Sequence, residues 1–366
     1  MGTIARDQEA PGTVTQTRVA LAGLGAVAHR IHIPACRAVR EIALVGGCDI
    51  DPAARTRAAA LGIGSIAESL DQLVAETRPD ALIVGTPPST HAEVCRRALE
   101  AGLHVFCEKP FAATVEEADA LIALARQRNR LVRVNNQYRF MRIYAKTRDR
   151  LEHDEFGRPY YIQAWQQMYH PPEVETNWRR SLRQNTLFEF GTHAFDLASC
   201  FFDAMPIAVQ AHTPAVRQEF QSDVVAHVTL RFPGERLAVF SFNRVSHAPE
   251  KYFEMRVDCD RASLRLSLGG VAKTAIEWSR RAKRPVVSFG LAKGGQARAE
   301  RDGRSRAYAS APASTFADAT AEHLRLFHAE LQTPTKSLAA AEHARDLLRV
   351  VSAAYESART GETVRL

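Results

Sequence analysis

Arg18-Val19-Ala20-Leu21-Ala22-Gly23-Leu24-Gly25-Ala26-Val27-Ala28 is the stretch that decides the fold. A run of four apolar residues, Val19 to Ala22, ends in glycine, as a fully buried strand does. Gly-x-Gly-x-x-Ala follows at once, and residues 27–40 read as a helix. Strand, glycine turn and helix in that order are the context a dinucleotide fingerprint requires. Gly23 permits the tight turn, and Gly25 lets the main chain approach a pyrophosphate. Leu24, Ala26 and Val27 supply the rest of the loop, whose free N–H groups and helix dipole attract the anion.

The next strand, Ile42 to Cys48, runs into Asp49, which lies 24 residues beyond Gly25. A carboxylate there accepts hydrogen bonds from the ribose hydroxyls and repels a 2′-phosphate, so NAD is expected over NADP. Short strands then alternate with helices: strands at 81–84, 104–107 and 131–135, helices at 52–61, 70–76, 90–101 and 115–128. That rhythm implies βαβ units and a doubly wound parallel sheet.

Two further motifs fall at the carboxyl ends of these strands, where open α/β sheets bind ligands. Thr86-Pro87 turns the chain off the strand after Gly85, and His91 reads as a residue of the following helix's first turn. Glu108-Lys109-Pro110 ends the next strand. Lys109 would project into the crevice beside a cofactor, with Glu108 placed to hold a cation or the nicotinamide ribose.

Beyond about residue 155 the period changes to two. Val224, Ala226, Val228, Leu230 and Phe232 alternate with polar residues, as do Phe253 to Cys259 and Leu264 to Leu268. Such runs predict an antiparallel sheet with one packed and one polar face. Residues 190–202 read as a helix, and helices near 315–331 and 337–359 close the chain. The expected organisation is a polar disordered tail over 1–16, a Rossmann domain over 17–139 and an α+β domain over 140–366. The C-terminal helix is a candidate to pack back on the first domain.

Several stretches together resemble the glucose–fructose oxidoreductase / inositol dehydrogenase (Gfo/Idh/MocA) family. They are Thr86-Pro87 with His91, Ala98 to Val105, Glu108-Lys109-Pro110, Arg139-Phe140, Phe156 to Pro159, Trp178-Arg179, Glu189 to Asp196 and Tyr355 to Gly361. The resemblance implies a Rossmann domain joined to an α+β domain with a large, mostly antiparallel open sheet. That sheet's free face would form a homodimer or homotetramer. It also implies an NAD-dependent dehydrogenase or reductase acting on a secondary hydroxyl of a sugar, amino sugar or cyclitol. A redox-assisted glycosidase that retains NAD and a nucleotide-sensing regulator are the alternatives found on this fold.

By that resemblance Lys109 and His193 are the catalytic pair, and Glu189 stands where the family usually has aspartate. Histidine titrates near neutral pH and suits a proton acceptor. Lysine can act as base or as a charged partner to the oxygen, so the assignment of roles stays open. Arg183-Gln184-Asn185 replaces the glycines usual before this motif, and Asn185 is expected in the substrate pocket. Trp178 and Arg179 are further substrate-binding candidates, since aromatic faces and charged forks suit a polyhydroxylated or anionic ligand.

The chain has 366 residues, a length suited to two domains. Its net charge of +7 is local: ten basic and three acidic side chains lie between Lys273 and Arg306. Residues 273–312 are poor in apolar residues and read as a basic, flexible insertion. Without aromatic interleaving that insertion is not a nucleic-acid surface. No apolar run approaches a membrane span, and no signal-peptide pattern opens the chain. The six cysteines form no C-x-x-C pair, so neither a metal nor a disulfide is expected. A cytoplasmic, small-molecule enzyme is the expectation.

Overall fold

A computed structural model describes residues 16–171, 184–217, 219–247, 252–269, 271–279, 284–292, 294–312 and 314–366. The expected tail up to residue 15 lies outside them, as do Trp178, Arg179 and Arg183.

The first layer is a six-stranded sheet of β1 (Thr17–Ala22), β2 (Ile42–Cys48), β3 (Ser65–Ala67), β4 (Ala81–Val84), β5 (His104–Cys107) and β6 (Val132–Val134). All pairs are parallel, in the order β3-β2-β1-β4-β5-β6. The winding reverses between β1 and β4, which opens a crevice at their carboxyl ends. Helices α1 (Ile33–Arg37), α2 (Pro52–Ala59), α3 (Leu70–Thr77), α4 (His91–Glu100) and α5 (Val115–Arg128) cover the faces. Local chemistry sets their ends. Asp51 accepts from Ala53 N with Pro52 at the first helical position of α2, and Thr114 and Glu117 form a reciprocal capping box on α5.

The expected helix over 27–40 is more structured than a simple helix. Residues Ala28–His32 form a π-turn before α1 begins. A second π-turn, Leu187–Gly191, precedes the helix expected from Phe190. Each inserts an extra residue into a turn, which shifts the phase of the apolar stripe, and such turns often accompany function.

The second layer contains α6 (Arg142–Glu152) and α7 (Thr192–Phe202) under a large sheet. Its chain order runs β7 (Pro159–Gln167), β8 (Ala208–His212), β9 (Val225–Phe232), β10 (Arg236–Asn243), β11 (Tyr252–Cys259) and β12 (Ser263–Leu268). It continues with β13 (Val271–Ser279), β14 (Arg284–Ala292), β15 (Gly295–Arg301), β16 (Arg304–Ala311) and finally β17 (Val364–Arg365). Nine of these pair as β16-β15-β12-β11-β7-β10-β9-β8-β17, antiparallel except for β7 beside β10. Strands β13 and β14 form a separate hairpin.

The segment expected as a flexible insertion is therefore strand-rich. In β15 Ala297 is fully buried while Gln296 is exposed, so alternation is present. Its inward residues are alanines, too small to register as an apolar run.

Helices α8 (Thr315–Leu331) and α9 (Ala339–Thr360) follow the second sheet in sequence but return to the first layer. Ala321, Leu324 and Phe327 pack with Val19, Leu21, Ile33, Ile83 and Phe106. Ala341, Ala344 and Leu348 of α9 join the core around Leu82, Val84 and Val105, whereas Val350, Val351 and Ala354 join the core of the large sheet. Helix α9 thus belongs to both cores.

Candidate active site

The glycine turn follows β1. Gly23 has φ +92°, and a Cβ there would sit 2.7 Å from the main chain of Gly85. Only glycine satisfies both limits. At Gly25 a Cβ would meet nothing within 4 Å, and Gly25 and Ala26 are exposed. The space before the loop is open, and the helical segment opens at Ala26: His29 N donates to Gly25 O at 3.2 Å, and the N–H groups ahead of it have no preceding turn to bond. This cradle fits a diphosphate. The Leu24 side chain is fully buried, so only its main chain belongs to the rim.

Asp49 closes the second strand. Its Oδ2 accepts from Leu24 N at 2.7 Å and its Oδ1 from Asp51 N at 2.9 Å. One lone-pair site on each oxygen is spent on main chain, which ties the end of β2 to the glycine loop. Arg55 donates to the carbonyls of Asp49 and Ile50 at 2.8 and 3.1 Å, so this arginine braces the turn.

Thr86 and Pro87 leave β4 half-buried, with Thr90 Oγ1 donating to Thr86 Oγ1 at 2.9 Å. His91 is a bridge as well as a first-turn residue. Its Nδ1 lies 2.7 Å from Pro110 O and its Nε2 2.9 Å from Thr86 O, in a site where burial lowers the imidazole pKa. Whichever nitrogen carries the proton, the ring spans the loops after β4 and β5.

Glu108 is 7% exposed and turns inward. His32 Nε2 lies 2.9 Å from its Oε1, and Asn135 Nδ2 donates to the same oxygen at 2.8 Å. Burial raises the carboxyl pKa, but His32, Asn135 and the charge of Lys109 outweigh it and hold the group below its usual range. Lys109 turns the other way. Its Nζ donates to Glu189 O at 3.1 Å and Glu189 Oε2 at 3.4 Å, with the lysine side chain 11% exposed.

His193 lies in the first turn of α7, 7% exposed, with its ring stacked on Tyr138 at 4.0 Å and 7°. Asp196, three residues on, serves the scaffold. It is paired with Arg139 at 2.7 Å and His343 at 2.8 Å. Burial opposes its ionisation, yet Arg139 and His343 hold its pKa below the usual value. Asn185 is 1% exposed, and Asp223 Oδ1 accepts from its main-chain N at 2.7 Å. Tyr355 donates to the other Asp223 oxygen at 3.0 Å. Gln184 lines a cavity of about 520 Å³ with Thr114, Phe188, Asp223 and Arg359.

Among the described residues no cluster of histidine, cysteine and acid could hold a metal. The cysteines are unpaired. Burial pushes Cys36 up to about 12 and Cys48 up to about 11, so both stay protonated and inert. No described helix is long and apolar enough to cross a membrane.

Sequence reasoning passed over His32, Asn135, Tyr138 and His343, which hold the site residues from behind. His32 carried no distinguishing signal, since His29 and Arg30 on the same turn are also polar.

A glycine turn, an acid after the second strand and a lysine after β5, all at the carboxyl edge of one parallel sheet, define a dinucleotide-binding Rossmann protein. Residues 17–136 match the oxidoreductase family with NAD-binding Rossmann fold named GFO_IDH_MocA, and residues 144–265 match a GFO/IDH/MocA C-terminal domain. The chain belongs to this oxidoreductase family. It is 28% identical over 235 residues to a dTDP-3,4-didehydro-2,6-dideoxy-alpha-D-glucose 3-reductase of Saccharopolyspora spinosa, covering 64% of this chain and 70% of the relative. It is 34% identical over 143 residues to a UDP-N-acetylglucosamine 3-dehydrogenase of Acidithiobacillus ferrooxidans, covering 39% of this chain and 42% of that protein. Its fold resembles myo-inositol 2-dehydrogenase of Lactobacillus plantarum, with TM-score 0.77 and 17% identity over 96% of this chain and 99% of the other.

Proposed function

We propose that the protein transfers a hydride between NAD and a secondary hydroxyl or ketone of a sugar, amino sugar or cyclitol. The observation that carries this reading is Lys109, held by Glu189 at the carboxyl edge of β5. The family match and the sugar-directed relatives support it.

The Gly23–Val27 loop would hold the diphosphate, Asp49 the adenosine ribose, and the Thr86-Pro87 turn would flank the cofactor. Bound NAD supplies the hydride acceptor at its nicotinamide ring. Lys109 donates a hydrogen bond to the substrate oxygen and stabilises negative charge on it. His193, fixed in orientation by the Tyr138 stack, takes or returns the hydroxyl proton. Glu189 aims the lysine through its main-chain carbonyl and its carboxylate. Asp49 favours NAD because a 2′-phosphate would place like charges in contact.

The same reading includes a homodimer or homotetramer on the outer face of the large sheet, where Tyr161, Trp165, Leu237 and Val239 are half-buried.

The test is purified protein with NAD or NADP and a panel of sugars, nucleotide sugars and inositols, followed by reduced-nicotinamide absorbance. NAD-linked oxidation of at least one polyol is expected. No turnover with any polyol or keto sugar in either direction overturns the reading.

A further inference from the structure

Successive residues of a strand point to opposite faces. At the end of β5, Phe106 packs into the core shared with α8, and Cys107 into the opposite core around Leu82 and Val84. Glu108, two residues beyond Phe106, continues the Phe106 face, and Lys109, two beyond Cys107, the Cys107 face. The glutamate thus enters the α8 side of the sheet while the lysine reaches Glu189 on the other.

On the α8 side Glu108 meets a closed set of polar groups. His32 and Asn135 are both 0% exposed and both lie on its Oε1, at 2.9 and 2.8 Å. Asn135 is itself locked. Its Nδ2 also lies 3.2 Å from Thr320 Oγ1, and its Oδ1 lies 3.2 Å from His323 Nδ1. Burial keeps the His323 pKa well below its usual value, so its ring is neutral and one N–H serves Asn135. The Phe106 ring meets His32 and His323 edge-on, at 6.4 and 4.9 Å. Asn135 is thereby satisfied at both ends, whereas His32 stands at ion-pair distance from Glu108 and neither of its ring nitrogens has an aligned hydrogen-bond partner among the described residues. The second Glu108 oxygen faces Lys109 N at 3.3 Å, inside the same turn. On the far side of the lysine, His91 holds Pro110 O. The three-residue turn is therefore gripped before and after Lys109.

We propose that Glu108 is a positioning residue, with no contact to the cofactor: anchored by His32 and Asn135, it fixes the turn that presents Lys109 to Glu189. The inference rests on the reading of Lys109 as the reacting-site lysine. It assigns to His32, on the first π-turn, a role in setting a lysine that follows β5.

The test compares His32→Leu, His32→Gln and Glu108→Gln in the full chain. Three quantities are read: NADH affinity by fluorescence, the rate at which trinitrobenzenesulfonate labels Lys109 (peptide mass spectrometry), and polyol turnover. His32→Leu is expected to label Lys109 several-fold faster, with NADH affinity unchanged. Turnover should fall by up to roughly 10²-fold, as for a misplaced catalytic group. His32→Gln, which restores an amide N–H near the Nε2 position, should return both values towards the unmutated protein. Glu108→Gln should loosen the lysine in the same sense and serves if His32→Leu does not fold. Unchanged Lys109 labelling in both His32→Leu and Glu108→Gln overturns the proposal. So does a loss of NADH affinity in Glu108→Gln with labelling unchanged, which would make Glu108 a cofactor ligand. Absence of polyol turnover in the unmutated protein would overturn the oxidoreductase reading alone, and labelling and NADH affinity would still decide this one.

Discussion

Lys109 is held by Glu189 twice, once through the glutamate's main-chain carbonyl and once through its carboxylate, at 3.1 and 3.4 Å. Glu189 makes both contacts from within the π-turn Leu187–Gly191.

The double contact makes the two parts separable. Glu189→Gln removes the charge and leaves the carbonyl contact. It is expected to lower kcat by about tenfold to a hundredfold, the worth of a charge-assisted hydrogen bond. Lys109→Met should lower it by roughly 10²–10⁴-fold, the range for a lost general acid–base group. Steady-state kinetics with NADH affinity as control will check both. Equal losses from the two variants would mean that the glutamate itself does chemistry.

The two glycines of the first turn should fail differently. Gly23→Ala places a Cβ 2.7 Å from Gly85 and forces a side chain into φ +92°. It is expected to lower stability by about 1–3 kcal/mol or more, seen as a lower melting temperature. Gly25→Val meets open space, so the fold should persist while NADH binding is lost. Unimpaired NADH affinity in Gly25→Val would place the cofactor elsewhere.

Asp49 ties the end of β2 to the glycine loop, and on the proposed reading it also contacts the ribose. Unmutated protein should bind NAD at least about tenfold tighter than NADP, a difference of about 1.4 kcal/mol. Asp49→Asn keeps acceptor capacity for Leu24 N and Asp51 N through its single carbonyl oxygen only in part, but it removes the like-charge repulsion. The NAD:NADP ratio measured by titration should shrink while the melting temperature falls only slightly. Weaker NAD with an unchanged ratio would leave Asp49 a purely structural role.

Much of this was written locally. Strand β5 and helix α5 begin and end where apolar runs, Thr114 and Glu117 say they should, because their signals lie within a few residues. The motif named Lys109 and Glu189, which the structure brings into contact, and His193, which it places in the first turn of α7. What was hidden depends on distant partners or on small side chains. Nothing near Glu108 indicates that residues 32 and 135 will enclose it. Strands β15 and β16 alternate alanine and serine with arginine, a pattern that looks like solvated coil until it is paired. The π-turns hide because one extra residue does not alter composition.

His104 gives a pH signature. Leu131 N donates to its Nδ1 at 2.8 Å, and burial with nearby Arg130 and Lys336 pulls its pKa down to about 4. The unfolded ring titrates near about 6.5. Between these values the unfolded chain binds more protons, so stability falls as pH drops from about 6.5 to about 4. His104→Gln keeps an acceptor for Leu131 N without titrating. Its melting temperature should fall less steeply across that window, by up to about one proton's worth of linkage. Parallel curves for the two proteins would remove His104 as the cause.

Helix α9 runs for 22 residues, about 33 Å, with its first half in one hydrophobic core and its second half in the other. Neither core can lose this helix and stay intact. The chain should therefore melt in a single calorimetric transition despite its two architectures. A nucleotide bound beside the first sheet should raise the unfolding temperature of the second by the same amount, through one shared rod rather than through a change of shape.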